Sequence, residues 1–130
     1  MIVVDSSVWI ANLRNLDTAA VRTLHSIDHE ESQVLIGDLI LLEVLQGARD
    51  DLHASRIEHA LRRFPLEAML NQDLAVRAAR NYRALRERGV TVRKTIDVII
   101  GTFCIAGGHQ LLHADRDFDP MVAYLGLQVV

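Results

Sequence analysis

The chain has little of what would staple it, anchor it in a membrane or let it stack on bases. Of 130 residues, Cys104 is the only cysteine, which excludes an internal disulfide and fits a reducing cytoplasm. It falls within an apolar helical pattern and reads as inert packing. No apolar run is long enough to span a bilayer. A signal peptide is not expected, because the N-terminus lacks a basic segment and Asp5 interrupts the only early apolar run. Aromatics are 5% of the residues and mark no stacking platform for bases. The formal net charge of -3 excludes a global field attractive to nucleic acid, so such a role needs a local device: bound cations or a basic patch. The zinc spacing of Cys and His is missing. Of the six histidines (25, 29, 53, 59, 109, 113), only His109 and His113 could pair as ligands, and flanking a strand they read better as surface or packing groups. No Ser-His-Asp or Cys-His nucleophile is evident. Repeats, linkers and low-complexity segments are also missing, which favours one domain over residues 1–130.

Hydrophobic residues, in contrast, are abundant. They make up 50% of the chain and mean hydropathy is +0.16, high for a soluble monomer. The length allows a sizeable core. The surplus suggests apolar surface covered by another chain.

Short β-branched or apolar runs alternate with helical patterns. Ile2-Val3-Val4 reads as a buried strand ending at Asp5, with Asp5 or Ser6 able to cap a helix over 7–13. A helix over 18–27 follows, then a strand at 34–36 closed by Gly37. Asp38 is expected to cap a helix that Gly47 stops. A helix over 51–62 precedes a short strand at 64–66, which Pro65 limits to an edge or an end. The longest helical pattern covers 71–88 and ends at Gly89. Thr95 is expected as the N-cap of an apolar helix that places Asp97 in its first turn and stops at Gly107-Gly108. A strand over 110–113, an acidic turn over 115–119, a helix opened by Pro120 and a last strand at 127–130 complete the chain. This alternation predicts a three-layer α/β/α fold around a parallel sheet of four to five short strands. In such sheets ligands sit outside the carboxyl ends of the strands, which puts Asp5 and Asp115 on one rim.

Glu43 sits in Leu39-Ile40-Leu41-Leu42-Glu43-Val44-Leu45. A carboxylate on so apolar a helix is costly unless paired, protonated or metal-bound. The plain alternatives are a wet stripe or a pair with Arg49. Asp5 could be only a helix cap, Asp97 only a first-turn acid, and the 115–119 acids ordinary turn residues. If these acids gather, they repel one another unless a hard cation such as magnesium takes their oxygens. Magnesium held there suits phosphodiester hydrolysis by a metal-activated water.

Four segments, in this order and spacing, resemble the PIN-domain family, and more narrowly its VapC-type ribonuclease toxins of type II toxin–antitoxin pairs. They are Val3-Val4-Asp5-Ser6-Ser7-Val8-Trp9-Ile10, Leu42-Glu43-Val44-Leu45-Gln46-Gly47, Thr95-Ile96-Asp97-Val98-Ile99-Ile100 and His113-Ala114-Asp115-Arg116-Asp117-Phe118. The resemblance implies a PIN-like domain whose metal-binding acidic pocket comprises Asp5, Glu43, Asp97 and Asp115, with Asp117 as a further acid and Ser7 hydrogen-bonding near the first. It implies Mg2+- or Mn2+-dependent cleavage of RNA, a small VapB-like antitoxin as partner and a homodimer. Many relatives have Asn at the position of Asp115, which leaves open how Asp115, Asp117 and Asp119 share the work. Arg93, Lys94 and Arg116 are candidates for phosphate contacts; pairing with nearby acids is the alternative. Arg77, Arg80, Arg83, Arg86 and Arg88 make the long helix basic, as an RNA strip or a solvated face. Trp9 is expected in the core or an interface rather than under a base. Two other functions compete: a phosphotransfer domain or phosphatase with Asp5 as nucleophile, and a non-catalytic module that binds a peptide in the same groove. Against the first, Asp5-Ser6-Ser7 lacks the second acid two residues on that haloacid-dehalogenase-like enzymes carry.

Overall fold

A computed structural model describes residues 1–27 and 33–130; His29 lies outside the described residues. The strands are β1 (Ile2–Val4), β2 (Val34–Gly37), β3 (Leu66–Glu67), β4 (Gln110–Leu112) and β5 (Gln128–Val129). The helices are α1 (Ser6–Leu13), α2 (Ala19–Ser26), α3 (Asp38–Gln46), α4 (Asp51–Leu61), α5 (Gln72–Glu87), α6 (Thr95–Gly107) and α7 (Asp119–Leu125), with a 3-10 turn at Arg116–Phe118. All strand pairs are parallel, in the order β3-β2-β1-β4-β5. This is the α/β sheet that the alternating pattern predicts.

The central strands are apolar because both faces of the sheet are covered. Val3, Val4, Val34, Leu35, Ile36, Leu111 and Leu112 are all buried. Helices α1 to α4 pack among themselves, as do α5, α6 and α7. Pro65 precedes the edge strand β3, and its carbonyl accepts from Ile36 N–H at 2.9 Å. Trp9 is buried against Phe64, with ring centroids 5.7 Å apart, so it belongs to the core and does not offer a face to a base.

Two expected caps differ. Lys94, not Thr95, holds the N-cap position of α6 and gives no side-chain cap; Thr95 is already helical. Gly37, not Asp38, holds that position for α3. The Asp38 carboxylate accepts instead from Leu39 N–H at 2.8 Å and from Met69 N–H at 2.9 Å. It thus ties the start of α3 to the chain after β3. Asp5, Thr18, Asp50 and Asn71 do cap, each accepting from a backbone N–H two or three residues on.

The strand order fixes where a ligand can bind. From β1 the chain moves to β2 and β3 on one side, then returns to β4 and β5 on the other. The reversal lies between β1 and β4, and the crevice is at their carboxyl ends. Asp5 follows β1 directly, and its backbone N–H donates to Leu112 C=O at 2.9 Å, at the end of β4. Asp115 lies three residues past that end.

Candidate metal centre

Asp5 is buried at 3% exposure, an unusual place for a carboxylate. One of its oxygens, Oδ2, accepts from Ser7 N–H at 3.0 Å and from Ser7 Oγ. Ser7 Oγ in turn accepts from Ala114 N–H at 3.1 Å, joining the rim of β1 to the loop after β4. The other oxygen, Oδ1, is buried and has no partner among the described residues.

Asp97 is buried at 5% exposure in the first turn of α6, and its Oδ2 likewise has no partner. An ionised carboxylate there is poorly solvated. Burial first, and then the charges of Asp5, Asp115 and Glu43, raise its pKa to about 7 against the nearby Lys94 ammonium. The loop after β4 carries Asp115, which caps the 3-10 turn by accepting from Asp117 N–H at 2.9 Å. Asp117 has one oxygen, Oδ1, paired with Arg93 Nη2 at 2.9 Å, and the other, Oδ2, buried without a partner.

Glu43 comes from α3 on the other side of the crevice. It is half-buried, and its Oε1 accepts from Ser6 Oγ at 3.1 Å. No pair with Arg49 forms among the described residues. Burial raises the Glu43 pKa, the Ser6 hydroxyl opposes this, and the charge of Asp5 adds to the rise. Asp5, Glu43, Asp97 and Asp115, from the end of β1, α3, α6 and the loop after β4, therefore act on one another electrostatically although they come from distant stretches of chain. Asp97, Asp115 and Asp117 are the tightest part: one oxygen from each lies within 4.8 Å of the others. Asp119, the first residue of α7, is exposed and not in that group. Ser6 is a site residue that the sequence does not single out. A serine beside Asp5 reads first as an alternative cap, and only the placement of α3 brings Glu43 to it.

The three phosphate candidates line one small cavity of about 80 Å³ with Thr91, Asp97 and Asp117. Arg93 is engaged by Asp117, whereas Lys94 and Arg116 are exposed and form no ion pair among the described residues. His109 and His113 do not converge. His109 stacks on Phe103 and contacts the N-terminal amine, while His113 tilts against Phe118. Burial pushes the Cys104 thiol up to about 12, which leaves it unreactive.

The donor set fits a hard divalent cation. Every ligand candidate is a carboxylate oxygen, three of those oxygens are buried without partners, and a cation among them would relieve the repulsion that the Arg93 pair and the Lys94 charge only partly offset. A family model described as the PIN domain matches residues 2–122. The chain belongs to the PIN-domain family. Among PIN-domain relatives, Ribonuclease VapC11 of Mycobacterium tuberculosis is 33% identical over 132 residues, covering 98% of this chain and 96% of the relative. A VapC ribonuclease of Mycobacterium bovis matches equally well over the same shares. The fold is that of VapBC2 from Rickettsia felis bound to a promoter DNA fragment, with a TM-score of 0.77 and 14% identity over 100% of this chain and 98% of that one. It is also that of DNA-bound VapBC from Salmonella typhimurium, with a TM-score of 0.73 and 17% identity over 99% and 96%.

Proposed function

We propose that this PIN-domain chain is a Mg2+- or Mn2+-dependent endoribonuclease and the toxin of a VapBC-like pair. The carrying observation is the convergence of Asp5, Glu43, Asp97, Asp115 and Asp117 at the switch point of the sheet, with buried oxygens that lack partners. A divalent cation bound there supplies a water of lowered pKa and neutralises charge on the phosphate and the leaving oxygen. Asp97 and Asp115 are the principal ligands in this reading, with Asp117 and Asp5 beside them. Glu43, held by Ser6, lies across the crevice, where it can orient a water or take a proton. Ser7 fixes the Asp5 carboxylate and, through Ala114, the loop that carries Asp115. Lys94 and Arg116 contact phosphates next to the scissile bond without reading sequence. Asp5 serves as a ligand rather than a nucleophile, since no second acid stands at residue 7.

Two surface depressions suit partners. One of about 410 Å³ lies between α1, α3 and α4, lined by Ile10, Leu13, Val44 and Ile57 with Arg14, Arg49 and His53 at its polar parts. Exposed Leu13, Leu42 and Leu52 add apolar area on these helices. This face suits a small antitoxin. A second depression of about 450 Å³ between α5 and α6, lined by Ala75, Ala79, Tyr82 and Ile99, suits a second copy of the chain.

Purified protein freed of any partner is expected to cut single-stranded RNA with Mg2+ or Mn2+ and to stop when EDTA is added. Cleavage that survives EDTA, or an acyl-phosphate trapped on Asp5, would refute the proposal. Failure both to bind Mn2+ and to cut RNA would favour the peptide-binding module.

A further inference from the structure

We infer that Arg93 is a positioning residue that competes with a divalent cation for the Asp117 carboxylate and is freed for an RNA phosphate once that cation is bound. This rests on the metal-dependent reading above. Of the three basic side chains around the small cavity, Arg93 alone is tied to a pocket acid. Its guanidinium holds Asp117 Oδ1 at 2.9 Å, while Asp117 Oδ2 is buried without a partner. Asp117 is thus held through one oxygen and keeps a second, buried oxygen free, and one of its oxygens lies within 4.8 Å of oxygens of Asp97 and Asp115. The two ends of the pair differ in exposure: the Arg93 side chain is 74% exposed and that of Asp117 21%. Arg93 can therefore swing into solvent at little cost, whereas Asp117 cannot follow.

Without a cation, Arg93 supplies the one ion pair these acids have among the described residues and fixes the Asp117 carboxylate. A cation on Asp117 brings like charge against the guanidinium, which weakens the pair. Arg93 then joins Lys94 and Arg116 at the mouth of the cavity, where a guanidinium can bind a phosphate through two N–H groups. Cation affinity and RNA affinity are thereby linked, and the link is reciprocal.

Calorimetric Mn2+ titration of the parent, Arg93→Gln and Arg93→Lys tests this without relying on activity. In RNA-free protein, Arg93→Gln is expected to bind Mn2+ about two- to fivefold more tightly than the parent, with Arg93→Lys between them. Binding of a 2′-O-methyl phosphorothioate oligonucleotide, which resists cleavage, should strengthen with Mn2+ in the parent and gain clearly less in Arg93→Gln. Equal or weaker Mn2+ binding by Arg93→Gln would overturn the inference and leave the metal-dependent reading intact. No Mn2+ binding by any of the three proteins would overturn both.

Discussion

Asp97→Asn is expected to lower RNA cleavage by on the order of a thousandfold or more while the protein stays folded. The side chain is buried, stands in the first turn of α6 and has one oxygen without a partner. Its replacement keeps size and shape but removes the charge that would hold a cation. The neutral amide also meets no repulsion from Asp5, Asp115 and Glu43, and its N–H groups can donate to those acids. In metal-free protein near pH 8 the variant should therefore be more stable than the parent, by about 1–3 kcal/mol. Gain in stability with loss of activity is the signature of a functional acid. A merely structural acid would lose stability on substitution. Cleavage at the parental rate would remove Asp97 from the mechanism.

Metal-free parent protein should lose stability as the pH rises from about 4 to 8. The raised pKa of Asp97, about 7, means that over most of this window the folded protein holds a proton that the unfolded chain has released. Stability falls wherever the folded state binds more protons than the unfolded state. The contribution is thus complete below the unfolded value of 3.8 and lost as pH passes through about 7. Glu43, also raised, acts in the same direction. The loss attributable to Asp97 is on the order of a few kcal/mol, or roughly 10 °C in melting temperature for a chain of this size. Saturating Mn2+ should reverse the trend, because a ligand at a hundred times its Kd adds about 2.7 kcal/mol and binds best when the carboxylates are ionised. Melting curves at pH 5, 6, 7 and 8, with and without Mn2+, measure this. Asp97→Asn is the control, since every other titrating group is shared: its slope should be flatter and its response to Mn2+ small. A metal-free parent that gains stability between pH 5 and 8 relative to this variant would contradict the account.

Much of this arrangement is legible in the sequence because the sheet is parallel and buried. Ile2-Val3-Val4, Val34-Leu35-Ile36 and Leu111-Leu112 can be placed as strands since both faces need apolar residues, and strand ends then locate Asp5 and Asp115. Glu43 stands out because it is a carboxylate within the apolar run Leu39-Ile40-Leu41-Leu42-Glu43-Val44-Leu45. What is not legible depends on contacts between distant residues. Asp38 looks like a cap, yet Met69, thirty-one residues on, claims its carboxylate. Thr95 looks like a better cap than Lys94, but α6 begins one residue earlier than local propensity suggests. The Ser6–Glu43 hydrogen bond and the Arg93–Asp117 pair each join two chain segments that only the folded sheet brings together. The 115–119 run is ambiguous as a sequence because aspartate serves turns and metals alike. The structure separates its members, placing Asp115 and Asp117 beside Asp97 and Asp119 outside the group.

In the proposed site, carboxylates remote in sequence share one divalent cation. Anomalous diffraction at the manganese edge, from crystals grown with Mn2+, tests this most directly. A peak is expected at about 2–2.6 Å from an oxygen of Asp97, with Asp115, Asp117 or Asp5 completing the protein ligands. Manganese found only at surface acids such as Asp17 or Asp51, with none within reach of Asp97, would contradict it.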